Sequence, residues 1–371
     1  MYFHDRVKYF RQEKKSDFLL LGLSLLFTLF GLLMIYEASN FAAFESFADK
    51  YHFVRDQFVW SLIGVVVMGL AAFFPYKKYF QLSVPFLLVT IVSLIAVLIP
   101  GLGIKVLGAR RWLSLGFINF QPSELAKLTL IIYLASWLNS KEKGRLASFM
   151  VLLSIIVGLV LLQPDLGTAI ILTAIFLTVY FVSQAPWWQF VLLIPLSVLG
   201  VLIMAVISPY RYQRLMTFFN PELDPLGSSY HIRQILISLG SGGLSGLGLG
   251  ASRQKYLYLP EATTDSIFAI IGEELGFLGS GILIFLYLLF LYRIFLTVKN
   301  APDKMSYLLG SGIMAFFGFQ IIVNLGSMVA VLPLTGVPLP FISYGGSSLL
   351  VSLTCVGIIL NISRQAVKKK S

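Results

Sequence analysis

The sequence predicts an all-α, polytopic membrane protein of about ten transmembrane helices, on three observations. Of 371 residues, 57% are hydrophobic and only 12% charged, and the mean hydropathy is +0.85, far more apolar than an ordinary soluble domain. Apolar runs long enough to cross a bilayer, or nearly so, recur along the whole chain. Lys and Arg concentrate in alternate connecting segments, as the positive-inside rule requires. The same rule, with attraction to anionic lipid, accounts for the net charge of +11, so the charge is not read as a nucleic-acid footprint. The single Cys355 excludes an intramolecular disulfide. His4, His52 and His231 show neither zinc-ligand spacing nor a Ser-His-Asp arrangement, so no protein metal site is expected.

The apolar runs fall at about 18–36, 57–74, 80–99, 122–138, 148–163, 166–183, 188–208, 266–296, 306–330 and 344–363. The first follows a basic tail, residues 1–16, and has no small-residue cleavage pattern, so it reads as a spanning helix and not as a removable leader. With the amino terminus inside, the cytoplasmic segments carry Arg6 to Lys15, Lys77 and Lys78, Lys141 to Arg145, Arg293 to Lys304, and Arg364 to Lys370. Both termini are therefore expected in the cytoplasm, with one long extracytoplasmic loop at 209–265 and the chain 1–371 forming a single integral membrane domain.

Two outer segments break the charge rule. Arg110, Arg111 and Trp112 stand together in the loop 100–120, and the long loop carries Arg211, Arg214, Arg233, Arg253 and Lys255 around the run GSGGLSGLGLG at 240–250. Glycines let backbone N–H groups cradle an anion and arginine forks suit phosphate oxygens, so a diphosphate at the outer surface fits both. The alternatives are a ligand-free re-entrant turn for the glycines and headgroup anchoring for the arginines.

Further along, Pro122 and Ser123 suit a helix start, and Glu124 and Lys127 share one helical face within an apolar run. They read as lining a polar cavity or as a buried ion pair. Asp165 lies in a tight turn between two helices, where bonding to its own backbone is the plain role. Tyr210 to Arg214 alternates aromatics with bases at the surface. Gly272 and Gly276 suit close helix packing, and Gln320 and Asn324 suit hydrogen bonds between helices. The segment PLTGVPLPFISYGGSS, from Pro333 to Ser348 and including Ser343, is proline-broken, and irregular backbone is tolerated at membrane depth where it lines a cavity or lies within protein.

The stretch Tyr256 to Gly276 gathers the acids. Glu261 and Asp265 occupy a polar loop, and Glu273 and Glu274 follow on an apolar helix, about 12–13 Å further along its axis at roughly 1.5 Å per residue. Acids at such depth usually face a bundle interior or pair with a base. For Glu261 and Asp265 the plain reading is capping of the helix start.

Taken together, GARRW at 108–112, QPSELAK at 121–127, QPDLGTA at 163–169, YQR at 212–214, DPLG at 224–227, the block YLPEATTDSIFAIIGEELG and LPLTGVPLPFISYGGSS at 332–348 resemble the SEDS family of bacterial cell-wall polymerases. The resemblance runs from Gly31 to Arg364 and is closer to the FtsW type, serving division, than to the RodA type, serving elongation. It implies a ten-helix SEDS fold in the cytoplasmic membrane that joins lipid II units into glycan strands at the outer face, releasing polyprenyl diphosphate. It also implies a class B penicillin-binding transpeptidase as partner. The aspartate of the family's His-Thr-Asp-Phe motif, its expected general base, maps onto Asp265. Here the motif reads Thr263-Thr264-Asp265-Ser266, without the histidine or the aromatic. Arg111, Trp112, Glu124, Lys127, Asp165 and Arg214 match positions the family associates with cavity architecture or activity.

The mechanism that follows is an inverting displacement. Asp265 takes the proton of an attacking sugar hydroxyl, Arg110, Arg111, Arg214 and Arg233 stabilise the departing diphosphate, and Mg2+ is a candidate bridge on that diphosphate. Glu261 and Ser343 complete the candidate substrate-binding set. A lipid II flippase or transporter is the rival, motivated by Glu124, Lys127, Glu273 and Glu274 within the membrane, although no internal repeat supports it.

Overall fold

The computed structural model describes residues 16–106, 109–114, 116, 119–140, 145–207, 209–219 and 229–365. The DPLG motif, Gly108 and most of both basic tails lie outside the described residues. Each expected apolar run is a helix. These are α1 (Phe18–Phe47), α2 (His52–Phe73), α3 (Tyr79–Leu98), α4 (Pro122–Asn139), α5 (Leu146–Leu162), α6 (Leu166–Val182), α7 (Trp187–Ile207), α10 (Ile267–Lys299), α11 (Lys304–Met328) and α12 (Gly346–Gln365). Among the described residues, seven helices are long and apolar enough to cross a membrane, and α5 and α6 are shorter apolar helices.

Two expected loops carry structure of their own. Between α3 and α4, β1 (Gly103–Val106), β2 (Ala109–Ser114) and β3 (Asn119–Phe120) form a small antiparallel sheet in the order β1-β2-β3. The segment 209–265 contains α8 (Pro209–Phe219) and α9 (Tyr230–Ser241) before a glycine-rich passage returns the chain to α10. Elements this short and amphipathic leave no signal in a search for spanning runs.

Polarity decides which helices lie at the centre. α11 and α12 carry Gln320, Asn324, Ser352 and Asn361, all buried, because these groups need protein partners away from lipid. α7, built of Val, Leu and Ile, lies at the periphery with most of its side chains exposed. α2 lies along α12 at close range because Gly64 meets Leu353, Gly346 meets Trp60, and Gly357 meets the backbone of Met68. At one end of the bundle Asp17 caps α1, accepting from Leu20 N at 3.0 Å, and pairs with Arg293 at 2.8 Å. Nearby, Asp303 caps α11 and accepts from the Tyr76 hydroxyl at 2.6 Å.

The glycine run has a structural assignment. α10 is broken at Gly276, whose backbone is left-handed (φ 66°, ψ −166°), a conformation that suits glycine. Residues 242–248 fill the break: Phe277 N donates to Gly243 O at 2.9 Å, and Leu247 N and Gly248 N donate to Glu273 O and Glu274 O, each at 3.0 Å. A Cβ on Gly246 would stand 2.1 Å from Glu274 O. These N–H groups are thus engaged in joining two parts of the fold, and the re-entrant turn describes them better than an anion cradle.

Candidate active site

Asp265 lies just before α10, on a turn that also carries Glu261. Its backbone is held from α11: Asn324 Nδ2 donates to Asp265 O at 2.9 Å and to Val337 O at 2.8 Å. The residue is 6% exposed, with Oδ2 3.8 Å from where a Cβ on Gly336 would stand. Thr264 Oγ1 lies 2.7 Å from Glu261 Oε2 and 3.3 Å from Asp265 Oδ1. A hydroxyl has one proton, and the shorter contact takes it. Burial pushes the Asp265 carboxyl up to about 6, with help from the nearby Glu261 charge and against the Arg214 guanidinium.

Beside this turn, α8, α9 and Leu334 enclose a groove of about 210 Å³ lined by Gln213, Arg214, Thr217, Phe218, His231, Ile232 and Leu334. Arg214 Nη1 donates to Leu334 O at 3.2 Å. His231 enters from α9 with Nε2 2.7 Å from Ser266 Oγ. Burial and the Arg214 charge lower its imidazole to about 4, opposed by a hydrogen bond to the Pro260 backbone. Sequence spacing gave no reason to single out His231, since 35 residues separate it from Ser266.

The remaining candidates occupy defined places. On β2, Arg110 pairs with Lys105 and Trp112 with Ile104 of β1, and the register shift between them leaves Arg111 as the extra residue of a bulge. Arg111 Nε donates to Gln163 O at 3.2 Å, and its Nη2 donates to Pro164 O. Asp165 caps α6, accepting from Thr168 N at 3.1 Å and Thr168 Oγ1 at 2.9 Å. Gly167 packs on Thr335 and Val337, which flank Gly336. Arg111 therefore braces the α5–α6 turn whose far side supports the Asp265 pocket. Arg233 is exposed on α9. Ser343 Oγ accepts from Leu339 N at 2.8 Å and closes the turn that leads to α12. The structure thus brings Asp265, Glu261 and Arg214 within electrostatic reach of one another, while Arg110, Arg111, Trp112 and Arg233 are not among the residues lining the groove.

The buried charges Glu124, Lys127, Glu273 and Glu274 each have internal partners. Lys127 Nζ lies 2.7 Å from Glu124 Oε1 and donates to Gln320 Oε1 at 3.1 Å. Gln320 in turn donates to Pro338 O at 2.9 Å, so the pair links α4, α11 and the proline-rich segment. Glu273 accepts from Ser252 Oγ at 2.5 Å and from Arg253 N at 3.1 Å. Glu274 pairs with Lys255 at 3.3 Å, and Lys255 reaches Glu37 of α1 at the same distance. Both glutamates therefore hold the passage between α9 and Asp265 onto the bundle. Among the described residues no group of three or more His, Cys, Asp or Glu is placed to hold a metal ion.

An apolar helical bundle with buried polar helices at its centre, and a buried acid beside an arginine-bearing groove at one end, defines a polytopic integral membrane protein with its candidate chemistry at the mouth of the bundle. The chain belongs to the SEDS family of FtsW/RodA-type peptidoglycan polymerases, since the family profile described as "Cell cycle protein" matches residues 17–368. It is 38% identical to the stage V sporulation protein E of Bacillus subtilis over 359 residues, 95% of this chain and 98% of the relative. It is 41% identical to the probable peptidoglycan glycosyltransferase FtsW of Coxiella burnetii over 342 residues, 90% and 92% of the two chains. Among solved structures, one chain from a peptidoglycan synthase complex that coordinates polymerization and crosslinking superposes with a TM-score of 0.77 at 31% identity, covering 94% of this chain and 98% of that one. The rod shape determining protein RodA of Thermus thermophilus matches with a TM-score of 0.70 at 30% identity, covering 95% and 98%. With its long apolar helices, the protein is a multi-pass protein of the bacterial inner membrane.

Proposed function

We propose that the protein is a peptidoglycan glycosyltransferase that polymerises lipid II at the outer face of the membrane, with Asp265 as general base. The observation that carries this reading is the Asp265 carboxyl, buried and raised to about 6 beside Arg214. Such a group is mostly ionised at neutral pH yet more basic than an ordinary aspartate, which suits proton abstraction. In the reaction, an attacking sugar hydroxyl gives its proton to Asp265 as its oxygen bonds to the anomeric carbon of the growing strand. The bond from that carbon to the polyprenyl diphosphate breaks, and the diphosphate leaves with the electron pair. One displacement without a protein nucleophile inverts the anomeric centre. Arg214 is the cation best placed to meet the departing charge, and a Mg2+ carried on the diphosphate would belong to the substrate.

The similarity to FtsW-named relatives supports a role in division. The likeness to a chain of a peptidoglycan synthase complex supports a class B penicillin-binding transpeptidase as partner. Against a transporter stands the engagement of Glu124, Lys127, Glu273 and Glu274 in fixed internal contacts. The test is purified Asp265→Asn protein with lipid II. Loss of polymer is expected, and a normal rate would refute the base assignment.

A further inference from the structure

The turn that carries both acids ends at Ser266, and one side chain from another helix reaches it. His231, on α9, places Nε2 2.7 Å from Ser266 Oγ, with the Pro260 backbone near the ring. With its affinity for a second proton lowered to about 4, the ring is neutral at working pH and keeps one donor and one acceptor. At Nε2 one of the two meets the Ser266 hydroxyl. Consistent with this, Ser266 holds the N-cap position of α10 without capping it through its side chain, although it is fully buried.

We propose that His231 is a positioning residue for Asp265: by holding Ser266 from α9, it fixes the end of the acid-bearing turn and so the direction in which the adjacent carboxylate points. The inference rests on the assignment of Asp265 as base. The Thr263 carbonyl is bound by Tyr344 N at 2.9 Å and Asp265 O by Asn324, so three elements converge on this turn. A displacement of about 1 Å in such a site costs on the order of 100-fold in rate.

The test uses the full-length protein in lipid nanodiscs, with lipid II polymerisation read as kcat and KM, and thermal unfolding read for each variant. His231→Ala is expected to lower kcat by roughly 10- to 100-fold with KM changed less than about twofold, since the loss falls on orientation and not on substrate binding. His231→Gln, whose carboxamide offers one donor and one acceptor, is expected to recover to within about threefold of the parent. Ser266→Ala is expected to be slowed several-fold, and His231→Ala/Ser266→Ala no slower than the worse single variant, because the two residues act as one unit. A wild-type kcat in His231→Ala, or His231→Gln as slow as His231→Ala, overturns the proposal. Where His231→Ala fails to fold, Ser266→Ala at the parent rate overturns it. If Asp265→Asn is inactive and His231→Ala unimpaired, only this inference falls. If Asp265→Asn polymerises normally, the base assignment falls and this inference with it.

Discussion

Asn324 of α11 donates to the main-chain carbonyl of Asp265 at 2.9 Å and, with the same amide, to Val337 O at 2.8 Å. One buried amide thus joins the start of α10 to the proline-broken segment before α12. Asn324→Leu keeps the volume but strands two buried carbonyls, at about 1–3 kcal/mol each. We expect a fall of several degrees in the unfolding temperature and at least a tenfold loss of polymerisation, checked by thermal unfolding and by turnover of lipid II.

The raised Asp265 carboxyl sets a pH dependence for activity and for stability. The base must be ionised, so the acid limb of the rate is expected near pH 6 and not near the ordinary aspartate value of 3.8. For stability, the folded state holds the proton more tightly than the unfolded chain. Native stability therefore falls as pH rises from about 4 to about 6, by roughly 3 kcal/mol for a shift of this size. Asp265→Asn removes the buried charge, so it is expected to unfold at a higher temperature than the parent at pH 7.5, with the difference vanishing below about pH 4. Unfolding curves across that range check the sign.

The Glu124–Lys127 pair is buried on both sides, with side chains 3% and 1% exposed. Lys127→Met leaves an uncompensated carboxylate in the core and is expected to cost roughly 3–5 kcal/mol. Glu124→Gln/Lys127→Met removes both charges and is expected to recover most of that. Thermal unfolding distinguishes the two, and a double variant as unstable as the single would show that the pair matters for more than charge balance.

The joint between the glycine run and broken α10 makes a positional prediction. Gly246 has φ +82° and would place a Cβ 2.1 Å from Glu274 O, so Gly246→Ala carries about 1–2 kcal/mol of left-handed strain plus a backbone clash. Gly240 has nothing within 4 Å of a Cβ and lies in the final turns of α9. Gly240→Ala is therefore expected to be neutral or slightly stabilising, and limited proteolysis of the 242–260 passage should report the contrast.

The membrane class, the helices that form over the ten apolar runs and the acids worth inspecting were legible in the linear order of residues. Spanning length is a property of a single run, and a run such as 306–330 declares itself without neighbours. The acids were legible because carboxylates are conspicuous in apolar surroundings. Their tasks were not: Glu273 and Glu274 look as exceptional in sequence as Asp265, yet they bind Ser252, Arg253 and Lys255 of the preceding passage.

By itself, then, the sequence determined the solvent this protein folds in, the apolar runs that become helices and the short set of charges from which a site had to be built. Only the tertiary structure decided which charges hold the fold and which share a groove, and it brought His231 to Ser266 and Arg214 to Leu334. The physical reason is range. Burial of an apolar run depends on neighbours a few residues away, whereas the partner of a buried polar group is whichever donor or acceptor the packing of distant helices delivers within 3 Å or so.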